Sequence, residues 1–321
     1  MLKVRIVGTG FHAPERVETA EDLAPRIGKD AAWIRQRTGV LRRHISDEPM
    51  HIMAARAARK ALGDGPPPDL VINASLTPLQ LIPDSSVFIL EELGLGGTPS
   101  FSVHATCLSF LVGLQVASSL VAAGTYRRIL VVSSEQGSVS RDYEQPESAA
   151  LIGDGAGAVV VEPTPAGQDS AMLDFAMATF PDGASLTVLR GCGTRKHPND
   201  PATTVQDNLF QMSGPGVYKM ALRKVPPVVG GLLARHGLSP GDIDIVIPHQ
   251  ASGPGMKAYQ KLGFTSEQIV DIIGEYGNCI SASLPMTLAH ADREGRLKRG
   301  DLVCMLGTGA GLSVAAALLR W

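Results

Sequence analysis

A weak internal repeat restricts the fold of this chain more than any other feature of its sequence. PDLVINASLTP at 68–78 resembles DIDIVIPHQAS at 242–252: in each, an acidic residue precedes a strand-like apolar run that ends in a polar loop. Further along, RRILVVSS followed by LIGDGAGAVVVE resembles GDLVCMLGTGAGLSVAAAL. Each half therefore holds strand, loop, helix, strand, Gly-rich turn and strand in the same order, the pattern of a duplicated α/β unit. PTPAGQDS at 163–170 has the composition of a surface connection, so the halves are expected to meet near residues 165–175. This gives one unit over 1–168 and a second over 169–321.

The strand candidates are Lys3–Val7, Leu70–Ala74, Ile129–Ser133, Ala156–Val161, Ile243–Ile247, Leu302–Leu306 and Leu312–Leu318. Most are continuous Val/Ile/Leu runs without polar alternation, which indicates burial on both faces. Periodicity alone leaves the last two partly open to a helical reading. Leu108–Ala123 is interrupted by Ser109, Gln115, Ser118 and Ser119 and reads as a buried helix, not a membrane span. Residues 183–215, rich in Gly, Pro, Asn and Asp, read as a long insertion or lid.

Composition excludes several functions. A formal net charge of −2 and an aromatic share of 5% leave neither a basic field nor stacking material for nucleic acid. The cysteines at 107, 192, 279 and 304 form no CxxC pair and no ligand-like spacing to histidine. No metal site or disulfide framework is expected, and the pattern fits a reducing cytoplasm. The start, MLKVRIVGTGFHAPE, has too short an apolar run for a signal peptide.

Three residues are candidates for chemistry. Cys107 lies between a strand-like stretch and a long helical pattern, so its thiol falls near a helix N-terminus, where unpaired N–H groups favour a thiolate and can hold an oxyanion. Local sequence equally accommodates a small buried hydrophobe there. His249 closes a predicted strand, where α/β sheets collect catalytic groups; a structural histidine fits the same place. Asn278 lies in a turn leading into a helix, a common setting for a capping asparagine. The repeat links them: Asn278 opens its helix where Cys107 opens its own, and a pseudo-twofold would bring both helix starts together, with His249 beside them. His104 has no assigned role. Cys279 and Cys304 read as packing residues, and Cys192 as an exposed loop residue. GDGAGA at 153–158 and GTGAG at 307–311 are each followed by a strand, so they fail as dinucleotide fingerprints and read as tight hairpin turns.

Taken together, AAWIRQRTGVLRRHI at 31–45, HATCLSF at 104–110, LIGDGAGAVVVE at 151–162, IPHQAS at 247–252, GNCISASLP at 277–285 and the GTGAG-to-RW ending resemble the ketoacyl synthase III branch of the thiolase superfamily over nearly the full length. The resemblance implies a five-layered αβαβα thiolase-like fold, a homodimer, and substrates that are acyl-CoA or acyl-carrier-protein thioesters, with no cofactor. It implies that Cys107 takes an acyl group, that His249 and Asn278 hold a decarboxylating malonyl-type thioester, and that a 3-ketoacyl product forms. The backbone N–H groups of Cys107 and Ala310 would form the oxyanion hole. Trp33 and Arg37 would grip coenzyme A, one through an aromatic plane and one through charge.

The chain departs from the family at several positions. Ser252–Gly253–Pro254 stands where an arginine usually follows the catalytic histidine, and EQPESAALIGDG lacks a second arginine. Thr106 precedes the nucleophile, and Ala310 replaces a glycine. LQLIPDSS at 79–86 resembles the family's loop that reaches towards the partner's acyl pocket, and Ile82 stands where olefin-forming relatives have glutamate. A specialised pathway is the expectation that follows. The alternatives are acyl transfer to an oxygen or nitrogen nucleophile and a catalytically silent partner subunit.

Overall fold

The computed structural model describes residues 1–321. Two sheets carry the fold. The first contains β1 (Val4–His12), β2 (Leu70–Asn73), β3 (Ser100–Ser102), β4 (Ile129–Gln136) and β5 (Asp154–Pro163), in the spatial order β1-β5-β4-β2-β3. The second contains β6 (Ala171–Thr179), β7 (Ile245–Pro248), β8 (Leu302–Gly309) and β9 (Ser313–Arg320), in the order β6-β9-β8-β7. In both sheets the first three strands pair antiparallel and the next joins in parallel, so β1, β5, β4 and β2 correspond to β6, β9, β8 and β7. Only β3, at the free edge of the first sheet, has no counterpart.

The sequence explains why both faces of each sheet are covered. Along β4 and β5, Ile129, Val131, Val159 and Val161 face the central core, while Leu130, Val132, Ala158 and Val160 join the cluster under α1 (Met50–Leu62). The same two-residue period divides Val303 and Met305 from Cys304 and Leu306 on β8. Each buried Val or Leu adds roughly 1.5–3 kcal/mol, so neither face tolerates a one-residue slip. The helices complete five layers. On the outer side of the first sheet, α1 packs with α2 (Ser85–Leu93). In the middle lie α3 (Ser109–Ala122) and α6 (Ser283–Arg293). Beyond the second sheet runs α4 (Gly214–Ala234). A shorter α5 (Gly253–Gln260) follows β7. No helix is long and apolar enough to cross a membrane.

The strand candidates all fall on strands, usually extended by a few residues, and the last two runs, open to a helical reading by periodicity, are β8 and β9. One expectation fails. GDGAGA is not a hairpin turn: from Asp154 it is the first half of β5. Gly155 and Gly157 are there because α6 crosses directly over the strand. A Cβ on Gly157 would lie 2.7 Å from the backbone nitrogen of Met286. By contrast, GTGAG does end β8 and turn into β9.

Candidate active site

Uniformly apolar strands that end in polar residues mark where the chemistry lies. The parallel strands close with Asn73 on β2, Ser133, Ser134 and Glu135 on β4, and Pro248 before His249 on β7. Such carboxyl ends are where α/β sheets place their sites. A cavity of about 590 Å³ opens there, and Cys107, His249, Asn278, Ala310 and Ser252 all line it.

Cys107 sits in a 3-10 turn, Thr106–Leu108, that feeds α3. The backbone amides of Cys107 and Ala310 lie beside its sulfur and favour the thiolate. Burial and the nearby Glu135 carboxylate outweigh them and push the thiol up to about 12. The helix-terminus argument therefore identifies the right donors but not the net result: the resting group is a thiol. The residue itself is only partly buried in the chain and lines the cavity.

His249 is 2% exposed, and burial pushes its imidazole down to about 4, so the ring is neutral. Its Nδ1 is buried without a partner, leaving Nε2 as the nitrogen that serves the cavity. Gly307 on β8 makes room for this side chain, since a Cβ there would lie 2.7 Å from the His249 Cβ. Asn278 is held on both sides of its amide. Its Nδ2 donates to the carbonyl of Ala251 at 3.2 Å, and its Oδ1 accepts from the Ile280 amide at 2.8 Å. One N–H of the amide is left to face the cavity.

The proposed correspondence between Asn278 and Cys107 is off by three residues. The second half has its own 3-10 turn, Ile280–Ala282, leading into α6. Thr106 and Ile280, at φ 53° and 49°, occupy equivalent left-handed positions. Cys107 therefore corresponds to Ser281, and Asn278 to the exposed His104. The strain of a β-branched residue in that region, about 1–3 kcal/mol, is a frequent mark of functional turns.

Arg37, on the short helix Ala31–Thr38, reaches the cavity mouth, but Trp33 from the same helix is not part of the lining. The Trp33 ring packs against a small core of Leu23, Ile34 and Ala149, with the Lys29 ammonium 5.4 Å from its centre. Ile82 is 86% exposed and lies away from the chain's own cavity. Ser252 caps α5, its hydroxyl accepting from the Gly255 amide at 3.1 Å, with Pro254 in the first turn where its missing N–H costs nothing.

Sequence reasoning missed Glu135 and the α4 wall. Glu135 is fully buried under the site, where burial pushes it up to about 7. It accepts from the amides of Leu76 at 2.5 Å and Thr77 at 3.2 Å and from the Ser281 hydroxyl. A carboxylate closing an apolar run, ILVVSSE, was the available signal. The α4 wall is formed by Val217, Tyr218, Ala221, Leu222 and Val225, and nothing in those residues alone separates a cavity wall from ordinary core. The expected lid, residues 183–215, is mostly exposed with two-residue strands at Thr187–Val188 and Gln211–Met212; Leu186, Phe210 and Met212 roof the cavity. Cys279 and Cys304 are buried and Cys192 is exposed.

Residues 101–183 match the family described as 3-oxoacyl-[acyl-carrier-protein (ACP)] synthase III, and residues 233–321 match its C-terminal region. A beta-ketoacyl-[acyl-carrier-protein] synthase III of Desulfitobacterium hafniense is 36% identical, with 100% of this chain and 98% of the relative covered. The crystal structure of 3-oxoacyl-[acyl-carrier-protein] synthase III from Aquifex aeolicus superimposes with a TM-score of 0.89 at 32% identity, covering 99% of this chain and 100% of that one. The priming beta-ketosynthase of the R1128 polyketide pathway superimposes with a TM-score of 0.89 at 29% identity, covering 98% and 96%.

Proposed function

The chain belongs to the 3-oxoacyl-[acyl-carrier-protein] synthase III family, and we propose that Cys107, His249 and Asn278 perform its condensation. The enzyme joins an acyl group from one thioester to a malonyl-type thioester with loss of carbon dioxide. The observation that carries the residue assignment is that the three side chains, from distant parts of the sequence, line one cavity with the amides of Cys107 and Ala310 at the thiol.

In the first step the Cys107 sulfur attacks the carbonyl of an acyl thioester. A new S–C bond forms, the old one breaks, and the thiol proton leaves with the departing thiol. The Cys107 and Ala310 amides hold the transient oxyanion, in place before the charge develops. In the second step the malonyl thioester loses carbon dioxide, and the electron pair moves onto its thioester oxygen as an enolate. His249 through Nε2 and the free N–H of Asn278 donate to that oxygen. Neutrality suits both groups, since a hydrogen-bond donor is needed and not a proton transfer. The enolate carbon then attacks the acyl-Cys107 carbonyl, the C–S bond breaks, and the sulfur regains a proton as the 3-ketoacyl thioester leaves. The thioesters supply the reactivity, so no metal or cofactor enters.

Arg37 at the mouth would meet the phosphate-bearing end of the thioester carrier, coenzyme A or a carrier protein. We place the enzyme in the cytoplasm as a homodimer. The unpaired edge of β3, with Phe101, Leu81, Ile82 and Val87 exposed around it, supports the second of these readings.

Intact-protein mass measurement after mixing with a panel of acyl-CoAs, then malonyl-CoA or a malonyl carrier, tests the reading. Adducts on Cys107 that disappear on malonyl addition, with a ketoacyl thioester formed, are the expected result. Adducts on another residue, or adducts that never condense with either extender, would overturn it.

A further inference from the structure

Three charged side chains line the cavity besides the neutral His249: Arg37, Glu147 and Lys261. Two of them are already paired. Glu147 Oε1 accepts from Arg37 Nε at 2.8 Å and lies 2.7 Å from Nη2, so one carboxylate oxygen occupies the Nε–Nη2 edge of the guanidinium, one of the two edges that an incoming phosphate could use. Its other oxygen points at the start of α4, where a Cβ on Gly214 would come within 3.3 Å. Two other arginines near Arg37 in the sequence are paired with carboxylates as well: Arg35 with Glu21 and Arg42 with Glu275. The Lys261 ammonium lies 3.5 Å from the Tyr218 hydroxyl.

We propose that Glu147 is a specificity-determining residue, a resident counter-charge at the cavity mouth that weakens its hold on highly phosphorylated thioester carriers. The inference rests on the reading that thioesters enter past Arg37. A carrier whose nucleotide end bears several phosphate charges must displace Glu147 from Arg37 or meet it at close range. A pantetheine arm carrying a single phosphodiester, as on a carrier protein, faces a smaller penalty, and an uncharged short thioester faces none. Both Arg37 and Glu147 are partly solvated, so the effect is moderate and screened by salt.

The test compares kcat/KM for one acyl group presented as the CoA thioester, the dephospho-CoA thioester and the N-acetylcysteamine thioester, at low and high salt. Glu147→Gln keeps the shape of the side chain and removes the charge. It is expected to raise the ratio of acyl-CoA to acyl-N-acetylcysteamine kcat/KM roughly five-fold at low salt, mainly through KM, with a smaller rise for dephospho-CoA and a loss of the effect in high salt. Arg37→Gln should move the ratio the other way. An unchanged ratio would overturn the proposal. So would a fall in the ratio, because it would mean that Glu147 holds Arg37 in place for the nucleotide. A folding defect is separated by the N-acetylcysteamine rate and the melting temperature, both recorded for every variant. Failure of the broader reading has a different signature, the absence of any acyl-Cys107 from all three thioesters.

Discussion

At the entrance to α3, Thr106 adopts φ 53° and Cys107 opens onto the cavity; at the entrance to α6, Ile280 adopts φ 49° and Ser281 is fully buried. Both helices start from a three-residue 3-10 turn and both run through the central layer. The backbone is thus duplicated almost residue for residue, while the chemistry is not. In the first half the middle residue of the turn faces the cavity and the residue three earlier, His104, is exposed. In the second half the middle residue is turned inward to the Glu135 carboxylate and Ser133, and the residue three earlier, Asn278, faces the cavity. A duplicated frame supplies two equivalent helix starts around one centre, and which residue of each turn meets the cavity then divides the labour. Glu135 is part of that asymmetry: it belongs to the first half but is bonded to the second half's Ser281.

The largest effect should come from moving the nucleophile between the two turns. Cys107→Ala is expected to abolish acyl-enzyme formation, at least about 10³-fold, and adding Ser281→Cys should not restore it, because that position has no opening to the cavity. Restored labelling in the double variant, read by intact mass, would mean that the two turns are interchangeable. Next, Asn278→Ala should leave acylation within a few-fold and slow condensation about 10²-fold, whereas His104→Ala, at the equivalent place, should alter neither step by more than about two-fold. Rapid-quench measurement of the two half-reactions separates these outcomes; equal loss in both steps for Asn278→Ala would break the assigned division.

The smallest effect concerns protonation. Burial drives the two buried groups in opposite directions, Cys107 upward to about 12 and His249 downward to about 4, and in each case the neutral form wins. Condensation from preformed acyl-enzyme should therefore change by less than about two-fold between pH 5 and 6, where an imidazole of ordinary pKa would change its neutral fraction roughly eight-fold. The same shift has a stability sign. The unfolded chain protonates His249 below about 6.5 while the folded chain does not until about 4. Its contribution to stability is thus complete above about 6.5 and is lost as pH falls towards 4. A rate limb centred near 6.5 would show that the ring is solvated and charged in the resting enzyme.

Much of this was legible in the residues. The apolar runs of β4, β5, β8 and β9 are long enough and poor enough in alternation to require cover on both faces, and their repeat in order implies matching sheets. The end of the β7 run pointed to His249, and the junction of a strand-like stretch with a helix pointed to Cys107. GDGAGA misled because a Gly-rich segment in sequence looks the same whether it turns or lies flat beneath a crossing helix. The three-residue error between Asn278 and Ser281 arose because both are small polar residues near a helix start, and only the backbone angles identify the true equivalents.

The sequence by itself determined the duplicated α/β frame, the residues that must be buried and the kinds of side chain available at the strand ends, because these follow from local periodicity and hydrophobic burial. Tertiary structure decided which polar residues face the cavity, that the Cys107 thiol rests protonated and the His249 ring neutral, and that Glu147 pairs with Arg37 at the mouth. Those outcomes depend on desolvation and on charges brought together from segments as far apart as 37 and 147, and no local pattern encodes either.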